Sequence, residues 1–174
     1  MKIAIVFFSI LFLQFSCTEP IVEDEPNRNW SKEQSIAMNS NFSTEEIKEI
    51  DNYLKRHHDW KMTKTGTGLY YMIYRDSLVG DTVKGGDFVT INFEVSLLNG
   101  DICYTSKEKG PEKLQVEKSD IESGLHEGLK YMTRGDKAKF ILPSHIAHGL
   151  IGDTEKIPPL SPVIYDIELL KIEQ

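Results

Sequence analysis

Cysteine is nearly absent: the 174 residues hold two, Cys17 and Cys103, too few for a disulfide framework. Long hydrophobic runs are missing too. The stretch Ile3 to Leu13, broken only by Ser9, is too short to span a bilayer. Positive charge is in deficit, with 20 Lys and Arg against 27 Asp and Glu and a net charge of -7. A chain without a basic face is not expected to bind nucleic acid. No phosphate loop is present, because Gly66-Thr67-Gly68 is not followed by the GK[ST] that would cradle a phosphate. Metal ligation has little support. His57 and His58 are neighbours that diverge on a helix, and His145 and His148 lie on a loop without cysteine or acidic partners. What remains is an ordinary soluble composition, 40% hydrophobic and 27% charged, suited to one domain with an extension.

The first residues fit an export signal. Lys2 precedes the apolar run, and Ser16-Cys17 follows it without an A-x-A cleavage site. A small residue before cysteine is the pattern of a bacterial lipoprotein, although Gln14 stands where Leu is usual. Residues 1–16 are therefore expected to be a signal peptide, with Cys17 the lipidated residue. Lipidation there would leave Cys103 without a partner thiol. Residues 17–29 are acidic and carry Pro20 and Pro26, as a solvated tether would. The expected location is the cell envelope, on the periplasmic or outer-membrane side, with the lipid as the membrane anchor.

Residues 30–60 form a helical arm in this reading. Ser31 to Gln34 and Ser43 to Glu46 each fit a capping box. The second predicts a helix start near Ser43, with Ile47, Ile50 and Leu54 as one stripe and Tyr53 beside it. Residues 61–174 read as the main domain. Leu69 to Arg75 is strand-like. Val89, Ile91, Phe93, Val95 and Leu97 alternate with polar residues in the clearest strand of the chain. Asn99-Gly100 predicts a hairpin returning through Asp101 to Thr105, and Leu114 to Glu117 is a weaker strand.

The C-terminal stretch completes the pattern. Leu125, Leu129 and Met132 make a short helical stripe, and Ala138, Phe140 and Leu142 a strand. Pro143 to Pro162 holds four prolines and two glycines and is a loop. Val163, Tyr165, Ile167 and Leu169 form a closing strand. Within it stand Gly128-Leu129-Lys130-Tyr131-Met132-Thr133-Arg134-Gly135, Ala147-His148-Gly149, Ile157-Pro158-Pro159 and Asp166-Ile167-Glu168-Leu169-Leu170. These motifs, in this order, resemble the FK506-binding-protein (FKBP) family of peptidyl-prolyl isomerases. Gly86 to Phe93 and Thr65 to Tyr71 extend the resemblance. It implies an α+β fold, an antiparallel sheet wrapped around one short helix and preceded here by the helical arm. Anchor, arm and domain together resemble the FKBP-type lipoproteins associated with bacterial gliding motility.

The resemblance also implies chemistry without metal, nucleophile or cofactor, acting on proline-containing polypeptide clients. The carried-over site residues are Phe93, Tyr104, Ile121, Leu125, His148, Ile157 and Tyr165. Ile121 falls where a backbone group binds ligand, Leu125 where the family floor is Trp, and Ile157 on the flap. Phe93 stands where the family has a ring-lining Tyr, and Tyr165 matches the aromatic at the back of the pocket. Four positions depart. Cys103-Tyr104 replaces a Phe-Asp pair, Glu122 an Ile whose amide holds the substrate carbonyl, and His148 a Tyr, while Glu112 sits near another aromatic wall position. A shallower, wetter pocket is expected, one that Phe and Asp at positions 103 and 104 would enclose again. Cys103 is otherwise a small buried hydrophobe. Two functions stay open: a membrane-anchored prolyl isomerase assisting envelope or motility proteins, and a weakly active or inactive binding module of a motility or secretion assembly.

Overall fold

The computed structural model describes residues 31–77 and 80–174, so the expected signal, tether and lipidated Cys17 lie outside the described residues. The first element is helix α1, Lys32–Arg56. Ser31 and Gln34 close it reciprocally: the Gln34 amide donates to Ser31 Oγ at 3.2 Å, and the Ser31 amide to Gln34 Oε1 at 2.9 Å. The expected start at Ser43 is thus corrected. Ser43 lies inside the helix, where backbone donors already have carbonyl partners four residues back.

Strands β1 (Thr63–Lys64), β2 (Tyr70–Arg75), β3 (Phe88–Leu97) and β4 (Ile102–Thr105) follow. A single turn of helix, α2, spans Ser106–Lys109, which the sequence reading did not anticipate. Then come β5 (Glu112–Gln115), α3 (Ser123–Leu129), β6 (Lys137–Leu142) and β7 (Val163–Glu173). β5 begins two residues earlier than expected and ends sooner, since Glu117 adopts a positive φ of 64° that breaks the extended run.

The strands form one antiparallel sheet in the order β1-β2-β6-β7-β3-β4, with β5 also paired to β3. The expected hairpin joins β3 and β4. Gly100 supplies φ 93°, and Asn99 Oδ1 accepts from the Asp101 amide at 2.9 Å.

Register gives the sheet two apolar faces. On one, Phe140 pairs with Tyr165, Tyr165 with Val95, and Val95 with Tyr104. This row faces α3, whose Leu125 and Leu129 are buried with Met132 just beyond it. The helix can lie this close because Gly128 has no side chain; a Cβ there would come 2.6 Å from the Phe140 ring. On the other face, Tyr70 pairs with Ile141 and Ile141 with Ile164. Ile50 and Tyr53 of α1 cover that row, with Leu54 and Trp60 at its margin. The arm therefore folds back onto the sheet. Ile47, placed on the stripe by the sequence reading, is exposed. The buried stripe is Glu46, Ile50 and Tyr53, at i, i+4 and i+7. Glu46 is 8% exposed and accepts from the Ser144 amide at 2.5 Å and the Ser144 hydroxyl at 3.1 Å. Among the described residues no helix is long and apolar enough to cross a membrane.

The arm and sheet should unfold together. Ile50→Ala removes a fully buried side chain and is expected to cost about 2–5 kcal/mol. Urea melts by circular dichroism and by Trp60 emission, in a Trp30→Phe background, should shift to the same lower midpoint. Two separated transitions would show that α1 melts independently.

Candidate functional site

Between the α3 face of the sheet and the loop from Pro143 to Pro162 lies a cavity of about 220 Å³. Its apolar lining comes from β3 (Ile91, Phe93, Val95), from β5 (Leu114), from Ile121 and Leu125, and from Tyr165. Tyr104, Glu112, Glu122 and His148 add polar groups. Of the residues expected at the site, Phe93, Tyr104, Ile121, Leu125, His148 and Tyr165 are brought together here. Ile157 is not. It is 2% exposed, packs in the main core, and serves the loop through its backbone.

Alternation along β3 places Phe93 and Val95 on the inner face, and Tyr165 and Tyr104 flank Val95 by register. α2 holds this edge: Ser106 Oγ accepts from the Phe93 amide at 3.0 Å, where β3 has passed the end of its pairing with β5. Ser106 was missed because a Ser in a short polar run carries no sequence signal for this contact.

Glu122 was expected to contribute only its amide. Its side chain does more. As the N-cap residue of α3 it makes no capping hydrogen bond. The Tyr165 hydroxyl donates to Glu122 Oε1 at 2.8 Å, and His148 Nε2 lies 2.8 Å from the same oxygen. The imidazole contact is a close polar approach and not an aligned hydrogen bond, since Nε2 is buried without a hydrogen-bond partner. Burial, and then the charge and hydrogen bond of Glu122, push the Tyr165 phenol well above its usual range, so it stays a donor. The cavity thus has an apolar wall and one polar corner.

The departures at Cys103 and Tyr104 read differently in three dimensions. Cys103 is 4% exposed and does not line the cavity, so the expected loss of a pocket wall there is corrected. Its thiol lies under the loop, 3.7 Å from the Lys156 carbonyl, while Lys156 Nζ donates to the Cys103 carbonyl at 2.8 Å. Burial and the charge of Asp153 push the thiol pKa up, which makes it a poor nucleophile. A Phe at 103 would overpack this space and not enclose the cavity. Tyr104 lines the cavity and also donates its hydroxyl to Asp153. That hydrogen bond, with burial and the acidic neighbours Asp153 and Glu155, raises the phenol pKa. Asp153 Oδ1 in turn accepts from the amides of Glu155, Lys156 and Ile157 at 2.9, 2.9 and 2.7 Å. An Asp at 104 would face Asp153 with like charge.

Two other recesses lie outside this cavity. One of about 360 Å³ lies on the outer sheet face among charged groups that pair with one another, Lys107 with Glu94 and Lys137 with Glu168. One of about 370 Å³ lies between α1 and the loop, beside Phe42, Glu46 and Leu150. Among the described residues no group of three or more His, Cys, Asp and Glu is placed to hold a metal ion. His57 caps its own helix, Nδ1 lying 2.9 Å from the Tyr53 carbonyl, and His145 Nε2 lies 2.9 Å from the Thr67 carbonyl.

Asp153 gives the loop a pH dependence. Burial opposes its charge, but the Tyr104 hydroxyl and the three amides outweigh it and hold the carboxyl at about 2. An unfolded Asp titrates at about 3.9. A depressed folded pKa contributes stability that is full above about pH 4 and is lost as pH falls toward 2. The thermal midpoint of the native protein should therefore drop more steeply across that window than that of Asp153→Asn. Parallel curves for the two proteins would show that Asp153 does not hold the loop in this way.

Comparison with known proteins agrees with the fold. The family described as FKBP-type peptidyl-prolyl cis-trans isomerase matches residues 80–170, more than half of the chain. The chain is 31% identical over 121 residues to the isomerase FkpA of Buchnera aphidicola from Acyrthosiphon pisum, covering 69% of this chain and 49% of that protein. It is 32% identical over 109 residues to FkpA of Escherichia coli K12, covering 63% of this chain and 39% of that protein. The chain thus spans half or less of the length of these relatives. The crystal structure of Escherichia coli FkpA superposes with a TM-score of 0.66 at 27% identity, covering 80% of this chain and 64% of that one. An isomerase structure from Pseudomonas syringae superposes at 0.64 with 20% identity, covering 76% and 96%, a likeness of fold alone. Sequence match and fold together make the chain a member of the FKBP-type peptidyl-prolyl cis-trans isomerase family.

Proposed function

We propose that the protein accelerates cis–trans rotation about X-Pro bonds of polypeptide clients, using the cavity beside Tyr165. The observation that carries this reading is the apolar lining of a 220 Å³ cavity by Phe93, Ile121, Leu125 and Tyr165. Rotation of a peptide bond faces a barrier of about 18–20 kcal/mol because twisting loses amide resonance. X-Pro bonds have cis and trans close in energy yet slow to exchange. A twisted imide has less charge separation than a planar one. An apolar enclosure therefore binds it better than the ground state, and differential binding lowers the barrier. The Glu122 amide suits the carbonyl-holding role that the family resemblance implies. It precedes the α3 turn, while the Glu122 carbonyl already accepts from Leu125 and His126 at 3.0 and 3.2 Å.

A second reading, a binding module with little turnover, draws support from the Glu122 carboxylate. An anion inside the cavity brings polarity where the twisted imide gains from its absence. Exchange spectroscopy on an X-Pro peptide with the full chain separates the two. The isomerase reading expects faster exchange, reduced in Phe93→Ala by about tenfold for each 1.4 kcal/mol of transition-state contact removed. Peptide binding without any acceleration would favour the module.

We also read the protein as a lipoprotein of the cell envelope, held at Cys17 and serving envelope or gliding-motility proteins. Lys2, the run Ile3 to Leu13 and Ser16-Cys17 support the anchor, and the acidic residues between Cys17 and α1 would form its tether. Each acyl chain adds about 0.8 kcal/mol of membrane affinity per buried CH₂. Cys17→Ser should move the protein from the membrane to the soluble fraction and abolish incorporation of labelled fatty acid. A variant that stays in the membrane fraction while the native protein takes up no lipid would defeat this reading.

A further inference from the structure

We infer that the cavity selects prolyl peptides by charge, taking those with a lysine or arginine beside the proline, with Glu122 as the specificity-determining residue. This rests on the isomerase reading of the same cavity.

The Glu122 side chain is 11% exposed, so its charge is poorly screened by water. Both of its contacts, the Tyr165 hydroxyl and His148 Nε2, go to Oε1. Among the described residues no hydrogen bond engages Oε2. Glu112 lines the same cavity, and no lysine or arginine does. The nearby lysines are engaged elsewhere. Lys156 Nζ donates to the Cys103 carbonyl and lies 5.0 Å over the Tyr104 ring. Lys113 pairs with Glu173 at 2.5 Å, and Lys130 with Glu117 at 2.5 Å. The cavity lining therefore holds two carboxyl groups and one imidazole.

Glu122 Oε2 is not sealed from water, so it is open to a donor that enters the cavity, and a charge-assisted hydrogen bond there is among the stronger ones. The proline ring, set against Phe93, Ile121, Leu125 and Tyr165, brings no donor of its own. The residues on either side of it begin only about 3.8 Å away along the chain. A lysine or arginine there can place its stem on the apolar wall and its cation on Oε2. A glutamate in the same place would meet like charge. Selectivity of this kind arises as much from repelling the wrong peptide as from holding the right one.

The test uses the full chain and three peptides of the form X-Pro-X, with X as Lys, Leu or Glu. Exchange spectroscopy at low salt should rank them Lys above Leu above Glu, with about tenfold between the extremes, equivalent to about 1.4 kcal/mol. Glu122→Gln keeps an oxygen for Tyr165 and should shrink the ratio to below about twofold. Raising salt should shrink it in the native protein, an arm that does not depend on the variant folding. Equal acceleration of all three peptides overturns the charge selectivity and leaves the isomerase reading standing. No acceleration of any peptide removes the isomerase reading. Affinities of the same peptides, followed through the Ile121 and Glu122 amide resonances, then decide: tenfold tighter binding of the Lys peptide upholds the selectivity, and equal or absent binding overturns it.

Discussion

The structure depends on the antiparallel ladder of β6, β7 and β3, because its register assigns every side chain to one of two apolar faces. Ile141 and Ile164 point one way, and Phe140 and Tyr165, their chain neighbours, point the other. A slip of one residue would exchange the two sets. Both rows are buried, so both faces need a cover. α3 and the proline-rich loop cover the row through Phe140, Tyr165 and Val95, and α1 covers the row through Tyr70, Ile141 and Ile164. The arm is thus a requirement of the sheet's composition. Without it, the aliphatic residues of that row would face water.

The same ladder decides what the cavity can be. Tyr165 cannot leave its row, so its hydroxyl ends in a place where water is scarce and an acceptor is needed. Glu122 supplies that acceptor. An aliphatic residue at 122 would leave the phenol without this partner, and a Phe at 165 would leave the part-buried Glu122 with only His148 beside Oε1. Tyr165, Glu122 and His148 therefore stand or fall as a set, which explains why substitutions at separate positions coexist. The outer rim repeats the logic. Tyr104 brings a phenol that needs an acceptor, and Asp153 provides it while also ordering the amides of the loop.

Much of this was legible in the sequence where a periodic pattern met a turn signal. β3, β6, β7, the Asn99-Gly100 hairpin and the α3 stripe all follow from alternation or helical spacing. The ordered motifs identified the fold, and six of the seven expected site residues line one cavity. The misreadings have a common cause. Glu46 looked like a capping residue because local spacing cannot see Ser144, which lies 98 residues away in sequence. Cys103 looked like a missing wall, and Ile157 like a lining residue, because a linear motif cannot say which way a loop residue turns. Glu122 was read for its amide alone, since its side-chain partners come from β7 and from the loop.

Those long-range partners bear on the role of the arm. Glu46 grips Ser144 through both amide and hydroxyl, and Ser144 opens the 3-10 turn Ser144–Ile146. Four residues after Ser144, His148 reaches the cavity and approaches Glu122. Farther along the same loop, the Leu160 amide donates back to the Gly149 carbonyl at 3.0 Å, and the Asp153 amide to the Ile157 carbonyl at 3.1 Å. The loop is thus pinned at its start by α1 and tied to itself beyond His148. A loop pinned at one end and self-bonded at the other has few ways to move. The buried carboxylate of the arm therefore helps fix where the imidazole stands, joining the outer face of the sheet to the polar corner of the cavity on the inner one.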